Sequence, residues 1–380
     1  MGFLIYYEVM RSIIALAIAL CWLSARAVGR MESGDSPRYP LEGPFPILSM
    51  TYFDDGSVDF GSLAAQVRFV AKCGCPGVIF GQSNDSVDLI SWEERTNAFE
   101  VCASAAEGLP FVLGLGANGT NTAHMLDIAA AIERVAVTHP AASICIVSRP
   151  PNDLRSLGDI EEAWDALGKA VRRPVIMQTH GARNVPEPSV ELMVRLAGKH
   201  PGVFGYIKEE AAGDSANIRM VEENAAKPPV KNVFSGWGGW QWLYQLRRCG
   251  SGGLITERVA YAPLLGEIWR AHKAGDNDRL VAAYAMYRLM IDQHNFPGGR
   301  RGNVGGGLRG YSLYLLQKEG LCRSFVSRQY QHREVTEGGT FGWGDGWKLE
   351  TFNLSESQKA ELDALYVDMV RFVEKGGEGR

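Results

Sequence analysis

The feature that most constrains this chain is an alternation. Short apolar runs of strand length recur some 20–35 residues apart, and amphipathic segments of helical period lie between most of them. The runs are FPILSM (45–50), GVIF (77–80), FVLGLG (111–116), SICIVS (143–148), PVIMQT (174–179), VFGYIK (203–208), NVFSG (232–236) and GGLIT (252–256). Between them, VDFGSLAAQVRFVAKCG, SWEERTNAFEVCASAAEG and TAHMLDIAAAIERVAVTH repeat apolar residues at helical spacing. Ser91 with Glu94 three positions on reads as a capping box. An open doubly wound sheet alternates in the same way, but eight strands fit closure better. The expected fold class is α/β, a (β/α)8 TIM barrel with a helical C-terminal appendage.

The barrel core is expected over 43–262. From about 263 the character changes. APLLGEIWRAHKAGDNDRLVAAYAMYRLMIDQHN reads as helix, LSESQKAELDALYVDMVRFVEK as a closing helix, and TEGGTFGWGDGWKLETFN between them as an inserted loop, giving a helical region 263–380 with a Gly/Trp-rich insertion. Residues 1–30 stand apart. SIIALAIALCWLSARA has an apolar core of about a dozen residues and ends in Ala25-Arg26-Ala27, which fits signal-peptide cleavage and is too short to favour a membrane span. Its basic character is poor, since Glu8 opposes Arg11, and Met31 opens a polar sequence. A start at Met31 and a cytoplasmic enzyme is the reading adopted, with export after cleavage at Ala27 as the alternative.

Hydrophobic residues at 46% and charged residues at 22% are ordinary for a globular chain of 380 residues. A net charge of −4 offers no electrostatic footing for nucleic acid. The seven cysteines form no CxxC array, and the seven histidines no HExxH, so neither a zinc site nor a disulfide framework is indicated. GGRRGNVGGG lacks the Gly-Lys-Ser/Thr of a phosphate loop and reads as mobile backbone.

In a barrel of this kind chemistry sits at the C-terminal ends of the strands. Lys208 ends the sixth run, in GYIKEEAAGD. One reading is a solvated strand end, with Lys208 paired to Glu209 or Glu210. The other is a lysine walled by apolar residues, whose charged form is disfavoured and whose amine attacks a carbonyl to form a Schiff base. His180 follows a strand end, where a plain polar loop residue is the simpler account. GLGANG (114–119) matches a dinucleotide fingerprint but follows the third strand of a series, where such a fingerprint does not belong. The tryptophans of SGWGGWQW (235–242) suit either stacking on a sugar-like substrate or packing beneath a loop.

Taken together, these segments resemble the dihydrodipicolinate synthase/N-acetylneuraminate lyase family of class I aldolases. MTYFDDGSVDFGSL is similar to that family's opening strand and turn, GVIFGQSNDSVDLISWEER to its G-TTGE stretch, GLGANGT to its G-GAN-ST turn and GYIKEEAAGD to its G-IKD-SGD. The likeness covers about 43–300 and returns in the C-terminal helices. It implies that Lys208 forms an imine with pyruvate or another 2-keto acid, and that the protonated imine serves as electron sink with no cofactor and no metal. It places Thr51, Gln82, Ser83 and Ile255 among the substrate-binding residues. Counting back from Lys208 without gaps, Arg183 takes the position of an arginine that meets a substrate carboxylate or hydroxyl.

The same count puts Gln178 where the family has a proton-relaying tyrosine. A second tyrosine is absent where this chain has SRPPND (148–153). Glutamine does not titrate usefully, so Gln178 can orient a group but cannot act as acid or base. The proton transfer then falls to His180, to a water or substrate group, or to nothing. The resemblance thus implies a lyase, aldolase or dehydratase, on pyruvate or a 2-keto-3-deoxy sugar acid rather than dihydrodipicolinate synthase proper. It also implies a homo-oligomer with a small-molecule 2-keto acid as its partner, and no nucleic acid or membrane. The rival is a non-catalytic barrel that binds a 2-keto acid or sugar acid.

Overall fold

Successive side chains of a strand face opposite ways, and in this protein that period sorts the apolar runs into two cores. The computed structural model describes residues 38–82, 89–179, 186–211, 215–256, 259–292, 309–330, 333–335, 341–343, 347–351 and 354–377. Among these, eight parallel strands form one sheet: β1 (Gly43–Pro46), β2 (Gly77–Phe80), β3 (Val112–Gly116), β4 (Ser143–Ser148), β5 (Val175–Gln178), β6 (Tyr206–Glu209), β7 (Asn232–Ser235) and β8 (Gly253–Thr256). Phe45, Ile79, Val112, Val147, Ile176 and Phe234 meet inside the barrel. Their strand neighbours Val78, Leu113, Ile146, Met177 and Val233 pack outward with the helices.

The seam between β1 and β2 is short for a chemical reason. Gly43 and Ile47 donate their N–H groups to the Gly252 and Thr256 carbonyls, just before and at the end of β8, at 2.8 and 2.7 Å. The alternate positions, which face β2, are Pro44 and Pro46 and have no N–H to give. Closure therefore waits for Leu48, whose N–H reaches the Ile79 carbonyl at 2.7 Å beside an Ile47–Ile79 bridge. The first strand accordingly runs two residues earlier than the apolar run 45–50 indicates. The sixth starts later, because Val203 and Phe204 lie in a turn that folds back on His200 and Gly205 adopts φ +122.

The ring of helices comprises α1 (Phe60–Lys72), α2 (Trp92–Ala106), α3 (Thr122–Thr138), α4 (Leu157–Ala170), α5 (Val190–Lys199), α6 (Ser215–Ala225), the short α7 (Trp242–Tyr244) that runs into a π-turn, and α8 (Ala262–Ala274). The Ser91–Glu94 capping box is present at α2, with Ser91 N to Glu94 Oε2 at 2.8 Å and Glu94 N to Ser91 Oγ at 3.1 Å. Gly275 ends α8 in the left-handed conformation (φ 71), so the long helical run divides into α8 and α9 (Asn277–Asp292). Then come α10 (Arg309–Lys318) and the closing helix α11 (Glu356–Gly377). Among the described residues no helix is long and apolar enough to cross a membrane. The signal-like segment lies outside the described residues.

The segment 336–353, read as a loop, contributes two strands instead. With β9 (Val326–Tyr330), β10 (Arg333–Val335), β11 (Phe341–Trp343) and β12 (Trp347–Thr351), the chain makes two antiparallel pairs, β9–β12 and β10–β11. Glycine-rich composition hides the brief alternation WKLET. Arg328 of β9 is buried and ties this appendage to the barrel. It reaches the Glu94 carboxylate through two bonds of 2.7 Å, the Gly56 carbonyl at 3.0 Å and the Leu89 carbonyl at 3.1 Å. The guanidinium holds the Glu94 carboxyl below the usual carboxylate range. Removing one partner of a largely buried pair leaves the other uncompensated. Arg328→Ala should cost ~2–4 kcal/mol in urea unfolding and open the β9–β12 pair to protease before the barrel; an unchanged midpoint and cleavage pattern would refute this anchoring.

Candidate active site

The two-residue period of β6 decides the site. Tyr206 packs with the inner core and Ile207 with the outer one. Lys208 then points inward again. It is only 3% exposed, and its register partners are Gln178 on β5 and Phe234 on β7. Its Nζ lies 2.9 Å from Glu210 Oε2, and the Gln178 amide donates to that same oxygen through Nε2 at 2.8 Å. An ionised carboxylate only accepts, so the amide must present its NH2 group there. Gln178 Oε1 is left buried with no hydrogen-bond partner among the described residues. Lys208 is therefore not at a solvated strand end, nor walled by apolar groups alone. It is buried against an acid two residues ahead of it.

Glu209, between them, points outward and is fully buried. Its carboxylate accepts from Thr179 Oγ1 (3.0 Å), Ala211 N (2.6 Å) and Arg219 Nε (3.0 Å), and Arg219 also donates to the Pro188 carbonyl at 2.7 Å. Thr179 Oγ1 in turn accepts the Glu210 N–H. These bonds clamp the backbone on both sides of Glu210. Gly236, past β7, closes the remaining side: its N–H donates to the Glu209 carbonyl at 2.9 Å, and an added Cβ would stand 2.8 Å from Glu210 Cβ. Only glycine leaves room for the acid here.

Residues 40–290 match the dihydrodipicolinate synthetase family. The chain belongs to that family. Its relatives are distant. A 4-hydroxy-tetrahydrodipicolinate synthase of Acidovorax sp. (strain JS42) is 28% identical over 261 residues, 67% of this chain and 81% of that protein. The enzyme of the same name from Rhizobium meliloti (strain 1021) is 28% identical over 166 residues, 43% of this chain and only 54% of its own length. Among solved structures, the dihydrodipicolinate synthase of Rhodopseudomonas palustris superposes with a TM-score of 0.65 at 17% identity, covering 88% of this chain and all (100%) of that one. A prophage protein of E. coli K12 from the dihydrodipicolinic acid synthase family, in complex with pyruvate, gives 0.65 at 17% identity, covering 87% and 99%. At these identities the superpositions speak to the fold.

Of the other residues the family resemblance singles out, Thr51 and Gln82 are buried near the strand ends after β1 and β2. Thr51 Oγ1 is used locally, donating to the Asp59 carbonyl at 3.3 Å. Gln82 Nε2 is buried without a hydrogen-bond partner among the described residues. Ile255 packs in the inner core of the barrel. Ser83, His180 and Arg183 lie outside the described residues. The GAN turn has a structural duty. Asn118 Nδ2 donates to the Gly81 carbonyl at 3.1 Å and its Oδ1 accepts from Arg149 N at 3.1 Å, so one side chain joins the ends of β2, β3 and β4.

The tryptophans divide. Trp242 is fully buried, and Trp240 is covered by Arg288, which sits 4.8 Å from its ring. Trp237 is half exposed at φ 51, its indole N–H bonded to the Ala211 carbonyl at 2.8 Å.

Sequence reasoning left Glu210 without a role beyond a solvated pair. The signal that finds it is the strand period, which puts residues 206, 208 and 210 on one face. Behind the site, burial, and after it the negative Glu209, push the Glu223 carboxyl well above its ordinary value. Its protonated form is thus favoured in the folded chain, and stability falls as pH rises from the unfolded carboxyl value toward the raised one. Glu223→Gln, which mimics the protonated acid, should raise the melting temperature at pH 8 and lose this advantage near pH 4. A difference that is flat with pH would contradict the assignment.

Proposed function

We propose that this protein is a Schiff-base-forming lyase, an aldolase or dehydratase, acting on pyruvate or a 2-keto-3-deoxy sugar acid. Membership of the dihydrodipicolinate synthetase family supports an aldolase-type lyase. The observation that carries the finer reading is Lys208 itself, an amine buried at the C-terminal rim of a parallel barrel with a carboxylate 2.9 Å away. Attack of this amine on the ketone carbon and loss of water yields an iminium, which draws electrons from the adjacent carbon and lets a bond there form or break. The unpartnered Gln82 Nε2 is a suitable donor for the substrate carboxylate, with Ser83 beside it in sequence. Arg183 is assigned to the distal carboxylate or hydroxyls, where its planar fork suits two oxygens.

Two features favour a sugar acid over aspartate semialdehyde as the second half of the substrate. Gln178 has no proton to hand to an aldehyde oxygen, a contribution worth typically ~10²–10⁴ in rate. Trp237 offers a flat, half-exposed apolar surface, held to the chain three residues after Lys208, of the kind that packs on the C–H face of a sugar. The rival reading, non-covalent binding of a 2-keto acid, draws on the Lys208–Glu210 pair, because an ammonium is not a nucleophile.

Incubation with pyruvate and borohydride should add a reduced adduct to the peptide carrying Lys208, and Lys208→Ala should abolish it. Calorimetric binding of pyruvate with no adduct would favour the rival. In a substrate screen, a 2-keto-3-deoxy sugar acid should turn over at least ~10²-fold faster than pyruvate condenses with aspartate semialdehyde; the reverse order would sink the substrate assignment.

A further inference from the structure

An ammonium cannot attack a carbonyl, so imine chemistry at Lys208 needs a group that first removes a proton from Nζ. Glu210 Oε2, at 2.9 Å, is the titratable group in bonding contact with Nζ among the described residues. Gln178 reaches the same oxygen but has no proton-accepting chemistry of its own. Thr179, the nearest hydroxyl along β5, is committed to Glu209. We propose that Glu210 is the acid–base catalyst of imine formation in this protein, in place of the tyrosine that Gln178 supplants. This rests on the Schiff-base reading of Lys208.

The step balances without any outside reagent. The Glu210 carboxylate takes one proton from the Lys208 ammonium, leaving a neutral amine and a neutral acid. The nitrogen lone pair forms a bond to the ketone carbon, and a second N–H proton passes to the former carbonyl oxygen, giving the carbinolamine. Glu210 then returns its proton to that hydroxyl, the C–O bond breaks, and water departs. The products are the iminium, which keeps one N–H, and the Glu210 carboxylate. Charge is conserved, since one ammonium and one carboxylate become one iminium and one carboxylate.

The surroundings suit a group that must gain and lose a proton in place. The Gln178 amide fixes Oε2 from β5 at 2.8 Å. The Glu209 clamp holds the backbone, and Gly236 gives way where any side chain would collide. Strand alternation puts the acid and the amine on one face, two residues apart. Glu210 therefore needs no loop motion to reach the nitrogen.

The test is a trapping time course on the full chain with pyruvate and cyanoborohydride, comparing wild type with Glu210→Gln and Glu210→Ala. Both variants should label Lys208 ~10²–10⁴-fold more slowly, the usual loss when general acid–base help is removed. Added acetate, a carboxylate small enough for the space left in Glu210→Ala, should recover part of the rate there. Circular dichroism establishes that the variants are folded, and the alanine variant decides the matter if the glutamine variant does not fold. Labelling at the wild-type rate overturns the proposal and leaves the ion pair structural. Slow labelling that acetate does not relieve overturns it as well. If wild type itself is not labelled by pyruvate or by any 2-keto-3-deoxy sugar acid, the Schiff-base reading fails first, a result distinct from either.

Discussion

Closure of eight parallel strands governs every distance in the candidate site. Because all strands run the same way, their C-terminal ends arrive at a single rim, and residues remote in sequence are brought together there. The closing contact is slender. Pro44 and Pro46 deny β2 two hydrogen bonds, and the ring is completed by the Leu48 N–H on the Ile79 carbonyl at 2.7 Å. The inner core beneath the rim compensates, with Phe45 and Phe234 edge to face at 5.4 Å between ring centres. That packing fills the barrel beneath the rim, where Lys208 and Gln178 stand in register on adjacent strands.

Glu209 and Glu210 show how one step along a strand changes the chemistry of identical side chains. Glu209 faces the helices, is fully buried, and is consumed by Thr179, Ala211 and Arg219. Glu210 faces the rim, where a lysine and an amide converge on one of its oxygens. The first is an anchor that sets backbone geometry. The second has its proton-accepting atom against the only side chain that a Schiff-base mechanism asks to lose a proton. A register slip by one residue would exchange these parts and dismantle the site.

The appendage is connected to this rim by a different principle. Arg328 comes from β9, far along the chain, yet its guanidinium meets Glu94 at the start of α2 and backbone carbonyls at Gly56 and Leu89. Its charge also lies 5.1 Å from the Tyr52 ring and 4.4 Å from that of Trp347. The capping carboxylate of α2 thus serves two masters, its own helix end and the C-terminal strands. The segment around WKLET could not be read as strand from composition, since its glycines outweigh a five-residue alternation. Its partner β9 is what stabilises it.

Local periodicity was enough to read the eight strand runs and the capping box at Ser91, because periods of two and 3.6 residues are written into adjacent positions. The family likeness of GLGANGT and GYIKEEAAGD was legible for the same reason, since each motif is contiguous. What Glu210 meets was not. Gln178 and Glu210 are 32 residues apart, and Arg328 and Glu94 are separated by 234. Such pairs are chosen by sheet order, register and closure, which no single segment encodes. The sequence by itself determined a barrel with a lysine at the end of its sixth strand; tertiary structure alone decided that this lysine is buried against Glu210, because only packing and strand register bring β5, β6 and β7 to bear on one carboxylate.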